Sequence, residues 1–215
     1  MSIYSVCNIK GGAGKTTTAI HLTRYLVKNN CKTALIDGDW QQSCSAWANS
    51  VESLNGLEIF NSSDIDEIED QILEYSDNYD AVVIDTPGNS EEMVRIIPSL
   101  SDWVVIPLSP SPLDVTSSDL TIKQIARARR RSGKYINTLV FMNQVVKNTN
   151  LARDTRELFV NYDHIDFSST EIPFAQLMAK LPSQGKTVFD SNNKVNHKLA
   201  NLYSELFSNL IEVKA

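Results

Sequence analysis

Cysteine is scarce in this chain: three residues in 215, at positions 7, 31 and 44. They lack metal-ligand spacing and are few for a disulfide framework, which suits a reducing cytoplasm. An iron–sulfur reductase needs cluster-ligating thiolates, and Cys7, Cys31 and Cys44 all fall early, in strand or helix contexts. No apolar run approaches the ~20 residues of a membrane span. The first strand begins almost at once, so a signal peptide is not expected. Basic charge is short as well, with 20 Lys and Arg against 26 Asp and Glu and a formal net charge of −6. That balance disfavours a wholesale nucleic-acid binder and leaves room for a local basic patch. Glycine numbers only eight, yet three of them stand at 11, 12 and 14.

Those glycines belong to residues 10–17, KGGAGKTT. Glycine opens backbone conformations that other residues avoid. The N–H groups of Gly11, Gly12, Ala13, Gly14, Lys15, Thr16 and Thr17 can then cradle phosphate oxygens. Lys15 neutralises β- and γ-phosphates, and the Thr16 hydroxyl is placed for Mg²⁺. The flanks agree. Ile3–Asn8 reads as a buried strand, and Ile20, Leu22, Tyr25 and Leu26 follow at helical spacing. A helix N-terminus therefore faces the phosphates. Lys10 is an addition: a second lysine where the loop already has one.

Two acidic strand ends follow. In KTALIDGDW, residues 32–40, Ala34–Ile36 form a strand with Asp37 and Asp39 at its C-terminal end. Two residues apart, they face one side. Carboxylates there are costly unless they serve a cation or a water. In AVVIDTPG, residues 81–88, four apolar residues end in Asp85. Thr86-Pro87-Gly88 then turns the chain where a γ-phosphate would lie.

On these motifs the chain resembles the ParA/MinD family of deviant Walker A P-loop ATPases, and most of all its small ParA-type partition and positioning members. The resemblance implies an α/β single-domain P-loop NTPase over residues 1–215, with a mostly parallel twisted sheet and helices on both faces. It implies catalytic parts for Lys10, Lys15 and Asp39: Lys10 crosses a dimer interface to the partner's nucleotide, and Asp39 orients the attacking water. Thr16, Asp37, Asp39 and Asp85 are the implied magnesium group. Asn143 is the implied adenine contact, with a second adenine-side segment near Glu171–Phe174. The proline-rich Pro107–Asp114 is expected near the nucleotide and the dimer face. ATP and Mg²⁺ are the implied cofactors. The implied partners are a second copy in an ATP-dependent sandwich dimer, nonspecific DNA, and a small ParB-like or other adaptor that stimulates hydrolysis. The cargo is a plasmid, a chromosome or a microcompartment such as a carboxysome, in a cytoplasmic, nucleoid-associated setting. An N-terminal helix-turn-helix domain, carried by larger members, is not expected. Trp40 departs from the family pattern, standing where proline is usual.

The remainder alternates between strand and helix signals, as a parallel sheet covered on both faces requires. Leu57–Phe60, Ala81–Ile84, Trp103–Leu108, Thr138–Asn143 and His164–Phe167 read as strands. Ile65–Tyr75, Glu91–Leu100, Leu113–Arg131 and Leu151–Tyr162 read as helices. Arg127, Arg130, Arg131 and Lys134 share one face by helical spacing, a candidate DNA-phosphate patch. Lys180 and Lys186 are candidates for the same composite surface. Val195, Leu199, Leu202, Tyr203, Leu206, Phe207, Leu210 and Ile211 form a C-terminal stripe. A MinD-like membrane-cycling regulator would end in a basic amphipathic helix. This tail carries Glu205 and Glu212 and few lysines, so packing onto the sheet is expected, with no membrane partner.

Overall fold

The apolar runs of the sequence become the strands of one sheet. The structure is a computed structural model that describes residues 1–146, 149–159, 162, 164–190 and 194–210; the side chains of 112–117 lie outside that description. Ile211, Glu212 and the side chain of Asp114, all named above, therefore fall outside it, as does part of the 151–162 helix. The strands are β1 (Ser2–Val6), β2 (Thr33–Asp37), β3 (Glu58–Asn61), β4 (Ala81–Asp85), β5 (Trp103–Leu108), β6 (Asn137–Met142) and β7 (Asp166–Phe167). The helices are α1 (Lys15–Lys28), α2 (Ser43–Ser50), α3 (Ile65–Tyr75), α4 (Glu91–Leu100), α5 (Pro112–Ser132), α6 (Leu151–Phe159) and α7 (Lys194–Phe207). Strand order is β3-β2-β4-β1-β5-β6-β7, and every pairing is parallel. Inner strands of such a sheet are covered twice, which is why β2 and β4 are buried at every position.

The two-residue alternation of strands sorts the core into faces. Tyr4, Val6, Leu35, Val83 and Phe141 pack with α1, α2 and α7. Ala34, Ile36, Val82 and Ile84 pack with α3 and α4. Val104, Ile106 and Val140 pack with α5 and α6. Asp37 and Asp85 continue the alternation of Leu35 and Val83, and they are paired in register across β2 and β4. Both therefore lie toward the α1 side of the sheet at its C-terminal edge.

Two sequence expectations need correction, and one helix lies outside them. The first strand stops at Val6 rather than Asn8. The Asn8 amide turns away to the carbonyl of Pro107 at 2.9 Å and the hydroxyl of Ser118 at 3.1 Å. Helix α2 carries too weak an apolar pattern to be read from its sequence, SCSAWANS. Finally, α5 ends at Ser132 and Gly133 takes a left-handed φ of 66°. The chain then leaves the helix, and Lys134 pairs with Asp102 at 2.8 Å. Lys134 is therefore not on a helical face with Arg127, Arg130 and Arg131.

Packing onto the sheet is the expectation for the C-terminal stripe; α7 is buried in the cluster on the α1 face of the sheet and docks on α1. Leu199, Tyr203, Leu206 and Phe207 are buried, each contributing roughly 1.5–3 kcal/mol of apolar burial. Val195 departs from the stripe and is exposed. The centre of this contact is His21, fully buried and stacked on Tyr203 at 4.6 Å with 10° between the rings. Its Nδ1 lies 2.6 Å from the Thr17 carbonyl, and its Nε2 accepts from the Val188 N–H at 3.2 Å. This pair of bonds sets the neutral tautomer with the proton on Nδ1. Burial pushes the imidazole pKa down to about 4, against the pull of the Thr17 carbonyl and Asp190.

The unfolded chain binds a proton at His21 from its ordinary value downward, whereas the folded protein refuses it until about pH 4. Stability held by this group is thus lost as pH falls through that window. Between pH 7 and 5 the advantage of wild type over His21→Gln in urea denaturation should shrink by about 2 kcal/mol. Comparing the two proteins removes the contribution of other titrating groups. A pH-independent difference would show that the imidazole is not held neutral.

Candidate active site

Between β1 and α1 the chain makes a tight loop over the sheet's C-terminal edge. Gly12 and Gly14 take left-handed φ values of 78° and 95°, where a side chain is strained. Gly14 caps α1, and its carbonyl accepts from the Thr18 N–H at 2.9 Å and the Thr18 hydroxyl at 2.7 Å. Gly11 serves differently. Its backbone is met by Gly88, where an added Cβ would sit 3.4 Å from the Gly11 Cα. The neighbouring Asn89 N–H donates to the Ile9 carbonyl at 2.9 Å. The TPG turn after β4 thus leans directly on the glycine loop.

The charged groups gather beneath. Lys15 is buried, and its ammonium donates to the Lys10 carbonyl at 3.0 Å. Burial lowers its pKa, while Asp85, Cys7 and Asp39 oppose that shift. The Thr16 hydroxyl donates to Asp85 Oδ2 at 2.7 Å. Asp85 Oδ1 is buried with no formed hydrogen bond among the described residues. The nearby Cys44 thiol acts on the same carboxyl, but weakly. Burial pushes Asp85 up to about 7, opposed by Thr16 and Lys15 and reinforced by Asp37. A buried oxygen without a donor beside a threonine hydroxyl is a hard-donor set suited to Mg²⁺. Among the described residues no three His, Cys, Asp or Glu side chains converge to hold an ion alone. An ion here would complete its shell with water and phosphate oxygens, the usual habit of Mg²⁺.

The remaining sequence candidates are placed as follows. Gly11, Gly12, Gly14, Lys15, Thr16 and Thr17 line a cavity of ≈ 380 Å³ together with Asp39, Thr86, Gly88 and Gln144. Ala13 is buried beneath the loop. Asp37 does not line that cavity. Its Oδ1 accepts from the Asp39 N–H at 3.1 Å and its Oδ2 from the Ser45 N–H at 2.8 Å. Asp37 thus anchors the turn that carries Asp39 and ties the first turn of α2, a part its motif gave no sign of. Asn143 is buried and donates to the Ala13 carbonyl at 2.8 Å, and Gln144 donates to the Gly12 carbonyl at 2.9 Å. Ile172, Pro173 and Phe174 line an adjoining apolar cavity with both amides. Trp40 is 77% exposed at the rim of a different hollow, beside Gly38, Pro87 and Gly88.

The basic candidates do not form one surface within a protomer. Arg127, Arg130 and Arg131 are exposed on α5, at the strands' N-terminal edge. Lys180 and Lys186 flank Leu181, which packs in the core on the α1 face. The sheet separates the two groups. Arg129 is not available either, since its guanidinium donates to the Ile136 carbonyl and, at 2.9 Å, to the Thr138 hydroxyl.

Comparison with known proteins agrees with this geometry. A family model described as VirC1 protein matches residues 1–193. The chain belongs to the VirC1 protein family. It is a ParA/MinD-type P-loop ATPase. It is 30% identical over 152 residues to the maintenance of carboxysome distribution protein A of Halothiobacillus neapolitanus, covering 69% of each chain. It is 28% identical to protein ParA of Rhizobium radiobacter, covering 67% of this chain and 65% of that one. The chain thus spans about two thirds of the length of these curated relatives. In fold it is similar to the ATP complex of an McdA variant from Cyanothece, with a TM-score of 0.76, 16% identity and coverage of 100% and 98% of the two chains. It is also similar to MinD of Pyrococcus horikoshii with Mg-ADP, with a TM-score of 0.69, 17% identity and coverage of 100% and 98%.

The raised pKa of Asp85 yields a test of the buried acid. The folded protein holds that proton up to about pH 7, whereas the unfolded chain releases it near its ordinary value. Above pH 7 the ionised, half-partnered carboxylate destabilises the fold. Asp85→Asn should therefore raise the stability of the nucleotide-free protein at pH 8 by on the order of 1–3 kcal/mol. The gain should fade as pH drops toward 4, and magnesium-dependent nucleotide binding should be lost. A variant less stable than wild type at pH 8 would show that the carboxylate is paired after all.

Proposed function

We propose that this protein is an ATP-driven positioning ATPase. It binds ATP and Mg²⁺, pairs with a second copy, holds nonspecific DNA, and moves or spaces a cargo through an adaptor that triggers hydrolysis. The observation that carries the reading is the loop that pairs a buried phosphate lysine with a second lysine. Lys15 fills the floor of the cavity, while Lys10 contributes its carbonyl there and its side chain is not among the cavity's lining. By its place in the loop, next to the glycine run, Lys10 is the residue assigned to reach a nucleotide on another protomer.

The chemistry follows from the residues. The glycine-loop N–H groups and Lys15 hold the triphosphate, which fixes the γ-phosphorus for in-line attack. Asp39 lines the same cavity on a turn anchored by Asp37, and it orients the attacking water. Mg²⁺, held by Thr16 and Asp85 with phosphate oxygens, would neutralise the charge that builds on the transferred group. Thr86 and Gly88 border the cavity, so departure of the γ-phosphate is felt by the turn that touches Gly11.

The name of one relative, maintenance of carboxysome distribution, supports a cargo-positioning role. A MinD-like membrane cycle is less favoured, because α7 spends its apolar stripe against α1. No helix among the described residues is long and apolar enough to cross a membrane. The DNA contact falls to Arg127, Arg130 and Arg131, which are exposed together. Nucleoid association follows from that contact.

Lys10→Ala should retain ATP binding as a monomer and lose ATP-dependent pairing and stimulated hydrolysis together, because facing triphosphates repel unless crossed lysines offset them. Sedimentation with a nonhydrolysable analogue reads the outcome, and pairing of unchanged affinity would make Lys10 an ordinary loop residue. For the basic helix end, Arg130→Ala with Arg131→Ala should weaken binding equally on unrelated duplexes and flatten its salt dependence by about two counterions per protomer. The ATP-bound pair should survive. Normal DNA binding by that double variant would move the contact to the opposite face, at Lys180 and Lys186.

A further inference from the structure

Beside the phosphate cavity lies a second one of ≈ 380 Å³, and the two share Gly14, Thr17 and Gln144. Most of its lining is apolar, including Ile172, Pro173, Phe174, Met178 and Pro182. A nucleotide with its phosphates in the loop finds this cavity next to its base. The amides at its edge already donate to the loop, Asn143 to Ala13 and Gln144 to Gly12.

Tyr203 differs. It is the one residue of α7 that lines this cavity, and it is fully buried. Its hydroxyl has no hydrogen-bond partner among the described residues. A hydroxyl buried and unpaired is destabilising, and such groups in native proteins ordinarily have a partner. The ring cannot easily turn aside, since it stacks on His21 at 4.6 Å and lies 5.5 Å from Phe207. His21 is in turn held at both nitrogens, by Thr17 and Val188.

We propose that the Tyr203 hydroxyl is a contact for the nucleobase and a specificity-determining group of the site. A hydroxyl both donates and accepts, so it matches a purine edge that offers ring nitrogens and an exocyclic amine. A site that buries a hydroxyl for its ligand rejects a ligand that leaves it unpaired. The contact also draws the C-terminal helix into the nucleotide site. Base, Tyr203, His21 and the Thr17 carbonyl form one continuous chain back to the phosphate loop. The inference rests on ATP lying in that loop.

The test compares Tyr203→Phe with wild type by calorimetric titration of Mg-ATP and of magnesium tripolyphosphate, which has no base. The ATP Kd should rise about 3- to 10-fold, the worth of one hydrogen bond. Tripolyphosphate affinity should not change, and the melting temperature without ligand should stay level or rise. Tyr4→Phe is the control: its hydroxyl donates to the Leu210 carbonyl at 2.8 Å, outside the cavity. It should lower stability and leave ATP affinity alone. Unchanged ATP affinity in Tyr203→Phe overturns the proposal. So does an equal loss for both ligands, which would give Tyr203 a purely structural part. Wild-type protein that binds neither ligand overturns the reading of the loop itself, and this inference with it.

Discussion

A carboxylate buried at the end of an inner strand organises this molecule. Asp85 is 1% exposed, and a charge so placed persists only with partners that reach it inside the protein. Those partners come from the first turn of α1, Thr16 by hydrogen bond and Lys15 by charge. That requirement brings the start of α1 to the end of β4, and the glycine loop bends to let it arrive. The arrangement is incomplete as it stands: one oxygen has no donor and the proton affinity is raised. A site left short of positive charge in this way is prepared for a cation and for the phosphates that accompany it.

What the sequence made legible was the part whose signal is local. A strand, a glycine run and an amphipathic helix lie within 28 residues, and two acidic strand ends are each marked by the apolar run before them. Contacts across long separations were not legible. Asp37 shows only as an acid after a strand, and nothing in its surroundings announces that it will take the Ser45 N–H. Helix α2 is illegible for the same reason, because it depends on that anchor rather than on its own pattern. In the sequence Tyr203 is one more apolar position in a stripe. Only the packing of α7 on α1, 182 residues after His21, reveals that its hydroxyl faces no partner.

The basic run shows how one residue can undo a periodicity. Spacing alone placed Lys134 with Arg127, Arg130 and Arg131. Gly133 turns left-handed, the helix ends, and Lys134 is committed to Asp102 on the far side of the turn. Lys134 leaves the helical face, yet it still lines one hollow with Arg130. A glycine at a helix end is the signal that should have shortened the face.

Those arginines lie where β6 begins, and the phosphate loop lies where β1 ends. In a parallel sheet these are opposite rims, set apart by strands of six residues, or roughly 20 Å of backbone. Whatever the two rims bind cannot touch. In the pairing proposed above, a signal between the rims would pass through the joint between copies rather than through the sheet.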